Sequence, residues 1–499
     1  MPTNIELDVL RASAADLCRL LEAGETTSVE LVDIYIQQIT KHNHQGLKLN
    51  AVISTLPALC AVAQAKDIMI TGSFGLETTS GSFALKGLKT SKDAAVAILL
   101  RQAGCIVIGK PNLSEWGNSK GAGVTSGWSA VGGQAAASIQ RIGGWVTVSV
   151  LQISTSLPGN PKKTSSQTPA GSSSGSAVAT AAGFAPICIG TEADGSIVQP
   201  AIRAALYSMK GTVGDVDMFG TQSGGAAFDS AGPIAKTPED CADVMEVLLP
   251  GRDFRSHLKR SWKGIGIAYL NYDIWQFPDT VCEKTPAFDE PHKSAMEEAM
   301  KKAEGLGAKV TFNAPLMTIA NIAKSYKTVE QGQIARHQLA PIMKKYLSLF
   351  DDSAMKTLAD IVEFNQRHAS IELPPGHPNQ EILENGLKDD MSDDEYNQGL
   401  KHLRSSVRNA VELVLKETGA DVVMASGESL LPSIAATAGY PIASVPLGFS
   451  DYNGRPFGME IMARNGEEEK LFEVMSAWEA MFPECRRPPQ LLVNWTSTH

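Results

Sequence analysis

Two serine-bearing stretches hold the residue types that could do chemistry. The first is Gly171-Ser172-Ser173-Ser174-Gly175-Ser176-Ala177. A serine hydroxyl is a weak nucleophile near neutral pH and reacts only when a base takes its proton. Taken alone, such a Ser/Gly cluster reads as a flexible loop. The same residues also satisfy a G-x-S-x-G pattern, in which Ser173 would be the nucleophile of an α/β-hydrolase esterase. That motif needs a strand before the turn, whereas Lys163 to Pro169 is polar and ends in proline. It also needs a histidine base, and His257, His292, His337, His368, His377 and His402 stand in polar contexts that read mostly as exposed. The second stretch, Gly190-Thr-Glu-Ala-Asp-Gly-Ser-Ile197, follows the apolar run Pro186-Ile-Cys-Ile-Gly190 directly. It reads as a tight turn at a strand end. Such a turn either just holds a sheet edge or points consecutive backbone N–H groups into one concavity.

Spacing and order connect the two. Ser172 precedes Ser196 by 24 positions, and Pro200-Ala201 and Gly211-Thr-Val-Gly214 follow. This arrangement resembles the amidase signature family. The likeness extends to Lys86-Gly87, Gly109-Lys-Pro-Asn-Leu-Ser-Glu-Trp116, Ser126-Gly-Trp-Ser129, Ser230-Ala-Gly-Pro233, Gly439-Tyr-Pro-Ile442 and Pro446-Leu-Gly448, in that family's order over about residues 5–485. The resemblance implies a Ser-cisSer-Lys triad. Its nucleophile falls on Ser196 and its bridging serine, after a cis peptide bond, on Ser172. Its lysine falls on Lys66, upstream of the matching block Thr78-Thr-Ser-Gly-Ser82. It also implies an oxyanion cradle in the backbone N–H groups of Ala193, Asp194, Gly195 and Ser196. The acyl pocket would include Ser172, with Trp128 and Met218 as further candidates, although apolar residues like these more often belong to a core, and with Phe219 and the Gly220–Gly225 turn along the channel.

These residue types suit amide hydrolysis. A free lysine, with a pKa near 10.4, is protonated and cannot act as a base, but desolvation lowers that value toward neutrality. Neutral Lys66 would then take a proton from Ser196 through Ser172. Attack on an amide carbonyl creates an oxyanion beside the turn, and one donor lost there typically costs about 10²–10³ in rate. No metal or organic cofactor is required. The chain departs from the family pattern in three places: Ala61-Val-Ala-Gln-Ala65 precedes Lys66, Ala135–Lys163 reads as inserted, and Val198-Gln199 follows the nucleophile where many members carry arginine. Lys86 and Lys92 therefore stand as rival bases, and an amidase-fold protein with impaired catalysis and a binding or scaffold role is the alternative function. Likeness to fungal members suggests a small amide, in specialised metabolism or detoxification.

The rest of the chain must position these groups. Its 499 residues are 43% hydrophobic and 20% charged, with 44 basic against 54 acidic residues and a net charge of −10. No apolar run approaches the roughly 18–20 residues that span a bilayer. The acidic balance argues against nucleic-acid or anionic-membrane partners and for a small molecule. Seven cysteines without a CxxC pair, behind an N-terminus lacking a signal-peptide pattern, make a reducing cytosol the default and predict buried thiols. Capping boxes at Ser13/Asp16 and Thr27/Glu30 predict two opening helices. A helix over 93–103 leads to a strand-like run at 105–109; further buried strands are predicted at 186–190, 265–270, 309–312, 421–424 and 442–445, and helices at 288–306, 353–370 and 394–417. The segment 371–395 reads as a solvated connection. The resemblance implies a single α/β domain over residues 1–499, with a central twisted mixed sheet between two helical layers whose core buries Cys105–Ile108 and Pro186–Ile189. Within it, 135–170 is a Ser/Thr-rich inserted loop and 285–415 a helical region capping the substrate. Oligomeric state stays open, with a homodimer as one option.

Overall fold

The structure, a computed structural model, describes residues 7–56, 76–121, 123–136, 168–222, 226–278, 286–351, 353–451 and 454–484. Lys66 and most of the 135–170 insertion lie outside the described residues. Two short pairs, β1 (Val52–Thr55) with β2 (Gly109–Pro111) and β3 (Trp128–Ser129) with β4 (Gly133–Gln134), precede the main sheet. That sheet contains β5 (Ile187–Glu192), β6 (Tyr207–Lys210), β7 (Ser230–Ala235), β8 (Gly266–Tyr269), β9 (Lys309–Phe312), β10 (Val422–Ser426), β11 (Ile442–Phe449) and β12 (Pro456–Met462). Its eight strands run in the order β5-β7-β6-β11-β12-β10-β8-β9. β8 is parallel to both β9 and β10, and the other neighbours are antiparallel, so the sheet is mixed.

Alternation along the central strands explains why helices cover both faces. Side chains of successive strand residues point to opposite sides. Val422 and Met424 enter one apolar layer with Met245, Met300 and Phe472 from helices Pro238–Leu248, Pro286–Gly305 and Glu468–Met481. Val423 and Ala425 enter the other with Val407, Val411 and Ile434 from helices Asp393–Thr418 and Leu431–Ala438. Both sets are buried, which is why Val422–Ala425 is apolar at consecutive positions.

Both N-terminal capping boxes form, at Ser13/Asp16 and Thr27/Glu30, with reciprocal side-chain to backbone bonds. Other expectations need correction. Residues 105–108 form no strand; the chain pairs only at Gly109–Pro111 with the short β1, and there Cys105 is exposed while 106–108 are half-buried. Pro186–Ile189 is likewise half-buried, because β5 is the edge strand of the main sheet. Cys18 is exposed and Cys188 intermediate, so of the four described thiols only Cys241 is buried. The helix expected over 353–370 breaks into Leu358–Arg367 and Ala369–Glu372, and the segment read as a solvated connection contains the helix Glu381–Leu387. Of the histidines read as exposed, His292 and His377 are buried.

One buried ionic cluster ties the region before the sheet together. The Lys120 ammonium donates to Glu115 Oε1 at 2.5 Å, to Glu372 Oε2 at 2.9 Å and to the Glu372 carbonyl at 2.5 Å, and all three side chains are inaccessible to solvent. The remaining carboxylate oxygens accept from Ala130 N, Ser82 Oγ and Phe83 N. Burial and the neighbouring Glu372 push the Glu115 carboxyl well above its ordinary pKa, against the pull of Lys120. Beside the cluster, the Trp128 ring stacks on His377 with centroids 4.1 Å apart, 5.2 Å from the Lys120 ammonium. This cluster holds the Glu115–Asn118 turn, in which Trp116 and Asn118 adopt left-handed φ of 53° and 68°.

Removing one member of a buried ion set leaves the others uncompensated, at a typical cost of about 3–5 kcal/mol. Lys120→Met is therefore expected to lower unfolding free energy by about that amount in urea titration; a loss below about 1 kcal/mol would contradict the role given to the cluster. Burial and then Lys120 hold His377 down at about 4. An unfolded histidine titrates near 6.5, so stability from this site is whole above that pH and drains away as pH falls toward 4. In His377→Gln the acid-side loss between pH 6.5 and 4 should shrink by about 2 kcal/mol, measured by unfolding at stepped pH.

Candidate active site

The two serine-bearing stretches meet. The N–H of Ser173 donates to the Ser196 carbonyl at 3.0 Å, and the Ser172 carbonyl accepts from Ser114 N at 3.0 Å. The Gly171–Ser172 peptide bond is cis. Glycine is required at 171, because a Cβ there would lie 2.3 Å from Ser114 Oγ and 3.1 Å from Asn118 Nδ2. The helix Ser174–Ala181 that follows is buried on all sides, which its small residues Ser, Gly, Ala, Val and Thr allow.

Ser172 and Ser196 line one cavity of about 360 Å³. The turn Ala193–Ser196 leaves β5 and enters the short helix Val198–Ile202, with Gly195 at a left-handed φ of 82°. Glu192 stands behind it; its Oε2 accepts from Ile197 N at 2.6 Å and Val198 N at 3.0 Å. The Asp194 carboxylate accepts from Ser433 Oγ at 2.8 Å and Gln331 Nε2 at 3.1 Å, which ties the turn to helices Leu431–Ala438 and Gln331–Leu347. Burial raises the pKa of both acids, opposed at Asp194 by its bond from Ser433 and by the Lys210 charge. Lys210, at the end of β6, donates to the Ala193 carbonyl at 2.6 Å. Among the described residues, no acceptor takes the backbone N–H of Ala193, Asp194, Gly195 or Ser196. Ala193, Asp194 and Ser196 all border the cavity.

Other residues named from sequence lie elsewhere. The Ser173 hydroxyl donates to the Thr191 carbonyl and accepts from Thr191 N, each at 3.2 Å, and does not border the cavity. The esterase reading fails on that geometry, since a side chain bonded into β5 cannot meet a substrate. Trp128 sits in the stack with His377, and Met218 packs half-buried against the sheet core; neither borders the cavity. Lys86 and Lys92 are exposed to solvent and do not border the cavity. Phe219 is 40% exposed, whereas Gln222 from the neighbouring turn does line the cavity.

Sequence reasoning missed several wall residues. Gly117 and Ser119 come from the turn held by the Lys120 cluster. Asp229 immediately precedes the Ser230–Pro233 block, which was the available signal for it. Gln331, Gly332 and Ala335 come from a helix more than 130 positions after Ser196, and nothing local marks them. Lys110 was also passed over: burial pulls its pKa down to about 8, and its ammonium contacts Thr78 Oγ1.

Comparisons agree with this geometry. A family model described as Amidase matches residues 64–472. The probable amidase of Arabidopsis thaliana is 27% identical, covering 97% of this chain and 92% of that one. The native peptide amidase of Stenotrophomonas maltophilia superposes with a TM-score of 0.79 at 28% identity, over 96% of this chain and 98% of that one. A bacterial aryl acylamidase of the amidase signature enzymes shares the fold, at a TM-score of 0.68 and 19% identity over 97% and 99% of the two chains. With the model spanning most of the chain and the two serine segments meeting at one cavity, this protein belongs to the amidase signature family and is a hydrolase of amides.

Proposed function

We propose that this chain hydrolyses a small carboxylic amide through an acyl-enzyme on Ser196, with Ser172 relaying the proton to Lys66. The observation that carries the reading is the meeting of Ser172 and Ser196 at one cavity, beside a turn whose N–H groups lack a described protein acceptor. Ser196 Oγ attacks the amide carbonyl while its proton passes to Ser172, whose own proton passes to the neutral Lys66 amine. The oxyanion takes hydrogen bonds from the turn. Collapse breaks the C–N bond, and the amine or ammonia leaves with the proton returned through Ser172. Water then cleaves the acyl ester, releasing the acid and restoring Ser196.

The assignment of Lys66 rests on its sequence block, and the neighbourhood of that block supports it. Ser80, within Thr78–Ser82, accepts from Trp116 N at 3.0 Å, next to Gly117 on the cavity wall. Among the described residues no lysine borders the cavity. A volume of about 360 Å³ suits a small acyl group. The described wall bears Asp194 and Asp229 and no cationic side chain, which favours a neutral or cationic amide over an anionic one. The peptide amidase likeness makes peptide amides the first class to screen. The helical region 285–415 acts as the cap, through Gln331, Gly332 and Ala335. We place the reaction in the cytosol, in specialised metabolism or detoxification.

A serine-directed fluorophosphonate is expected to label the wild-type protein at Ser196 and to leave Ser196→Ala unlabelled. Labelling that persists in Ser196→Ala moves the nucleophile elsewhere, and no labelling of wild type turns the reading to a binding or scaffold role. Ser172→Ala and Lys66→Ala should each lower kcat by roughly 10²–10⁴ with melting temperature unchanged, and wild-type kcat/KM should fall on the acid side as the amine takes up its proton. Near-normal turnover in Lys66→Ala hands the base role to another lysine, with Lys110 the first to test.

A further inference from the structure

Lys210 is fully buried at the end of β6 and belongs to no block singled out in the sequence. Three carboxylates act on it, from Glu192, Asp229 and Asp194, and they oppose the effect of burial, which lowers its pKa. Glu192 also receives the first N–H groups of the helix after Ser196, and Asp194 receives Ser433 and Gln331. The ammonium spends its 2.6 Å hydrogen bond on a backbone atom, the carbonyl oxygen of Ala193. That choice has a geometric consequence. In a planar trans peptide the C=O and the following N–H point in opposite directions. With the Ala193 oxygen turned toward Lys210, the N–H of Asp194 is turned away from it. No acceptor among the described residues takes that N–H, and Ala193 and Asp194 both border the cavity while Lys210 does not.

We propose that Lys210 is a positioning residue that clamps the Ala193 carbonyl and so aims the Asp194 N–H at the oxyanion. The inference rests on the acyl-enzyme reading above. Lys210 is not the base, since it does not border the cavity, and its contact with substrate is only through the peptide it holds. A purely structural role, as counter-charge to three acids, would leave oxyanion stabilisation unchanged once the protein is folded.

The experiment compares kcat/KM for an amide and for its thioamide, in which sulfur replaces the carbonyl oxygen, in wild type and in Lys210→Met. Donors set at oxygen distance favour the oxygen substrate. Losing the aim of one donor should lower kcat on the amide by about 10²–10³ with KM within about threefold, and should lower the amide-to-thioamide ratio by about tenfold. The ratio does not depend on how much of the variant is folded. Lys210→Arg, which keeps a cationic donor, should recover part of the ratio; if Lys210→Met is insoluble, the ratio is read on Lys210→Gln. An unchanged ratio in the variant, with wild type active and labelled at Ser196, overturns the positioning role alone. A wild type that is neither active nor labelled removes the acyl-enzyme reading and this inference with it.

Discussion

Buried charge behind the Ala193–Ser196 turn is the constraint on which the site depends. A chain leaving an edge strand has free backbone groups on both sides, and their direction is not set by the sheet. Here it is set from behind: Lys210 holds the Ala193 carbonyl, Glu192 holds the N–H groups of Ile197 and Val198, and Ser433 and Gln331 hold the Asp194 side chain. The Lys210 and Glu192 side chains are fully buried, where a hydrogen bond to a charged group contributes more and an unpartnered charge costs more than at the surface. The arrangement is therefore tolerant of little change, and the groups left over face the cavity.

The opposite wall is built on the same principle. The Lys120 ammonium with Glu115 and Glu372 gathers four segments distant in sequence, the Ser82–Phe83 turn, the Glu115–Asn118 turn, the Trp128–Ala130 segment and the helix ending at Glu372. One amine stands between two carboxyl groups in a dry place, and every remaining oxygen has a donor. That satisfaction permits left-handed backbone at Trp116 and Asn118, so that Gly117 and Ser119 reach the cavity. Ser114 links the two walls: its N–H donates to the Ser172 carbonyl, and its hydroxyl accepts from Gly127 N.

Some of this was legible in the chain and some was not. Gly171 and Gly195 stand where a side chain would strike Ser114 or where φ is left-handed, so the glycine spacing carried real information about the turn. Capping boxes at Ser13 and Thr27 are local devices and formed as written. The apolar run at 105–108 misled, because it lies beside a two-stranded ribbon and not in the main sheet. Trp128 and Met218, which do not border the cavity, show a related point: large apolar side chains carry no mark that separates pocket from core.

What the sequence determined by itself is the order of segments and the residue types within them: serines 24 positions apart among small residues, apolar strands alternating with helices, and the family to which that order belongs. These are properties of neighbours along the chain. Which serine faces the cavity was decided only in three dimensions, where Ser173 is bonded into β5 and Ser172 and Ser196 are left to line the cavity. The same holds for Gln331, Asp229 and Lys210, brought to the turn by a helix and two strands that contact it only after the sheet has assembled. Burial supplies the physical reason, since the strength of a charge and the direction of a peptide both depend on what surrounds them, and that is set by packing between residues far apart in the chain.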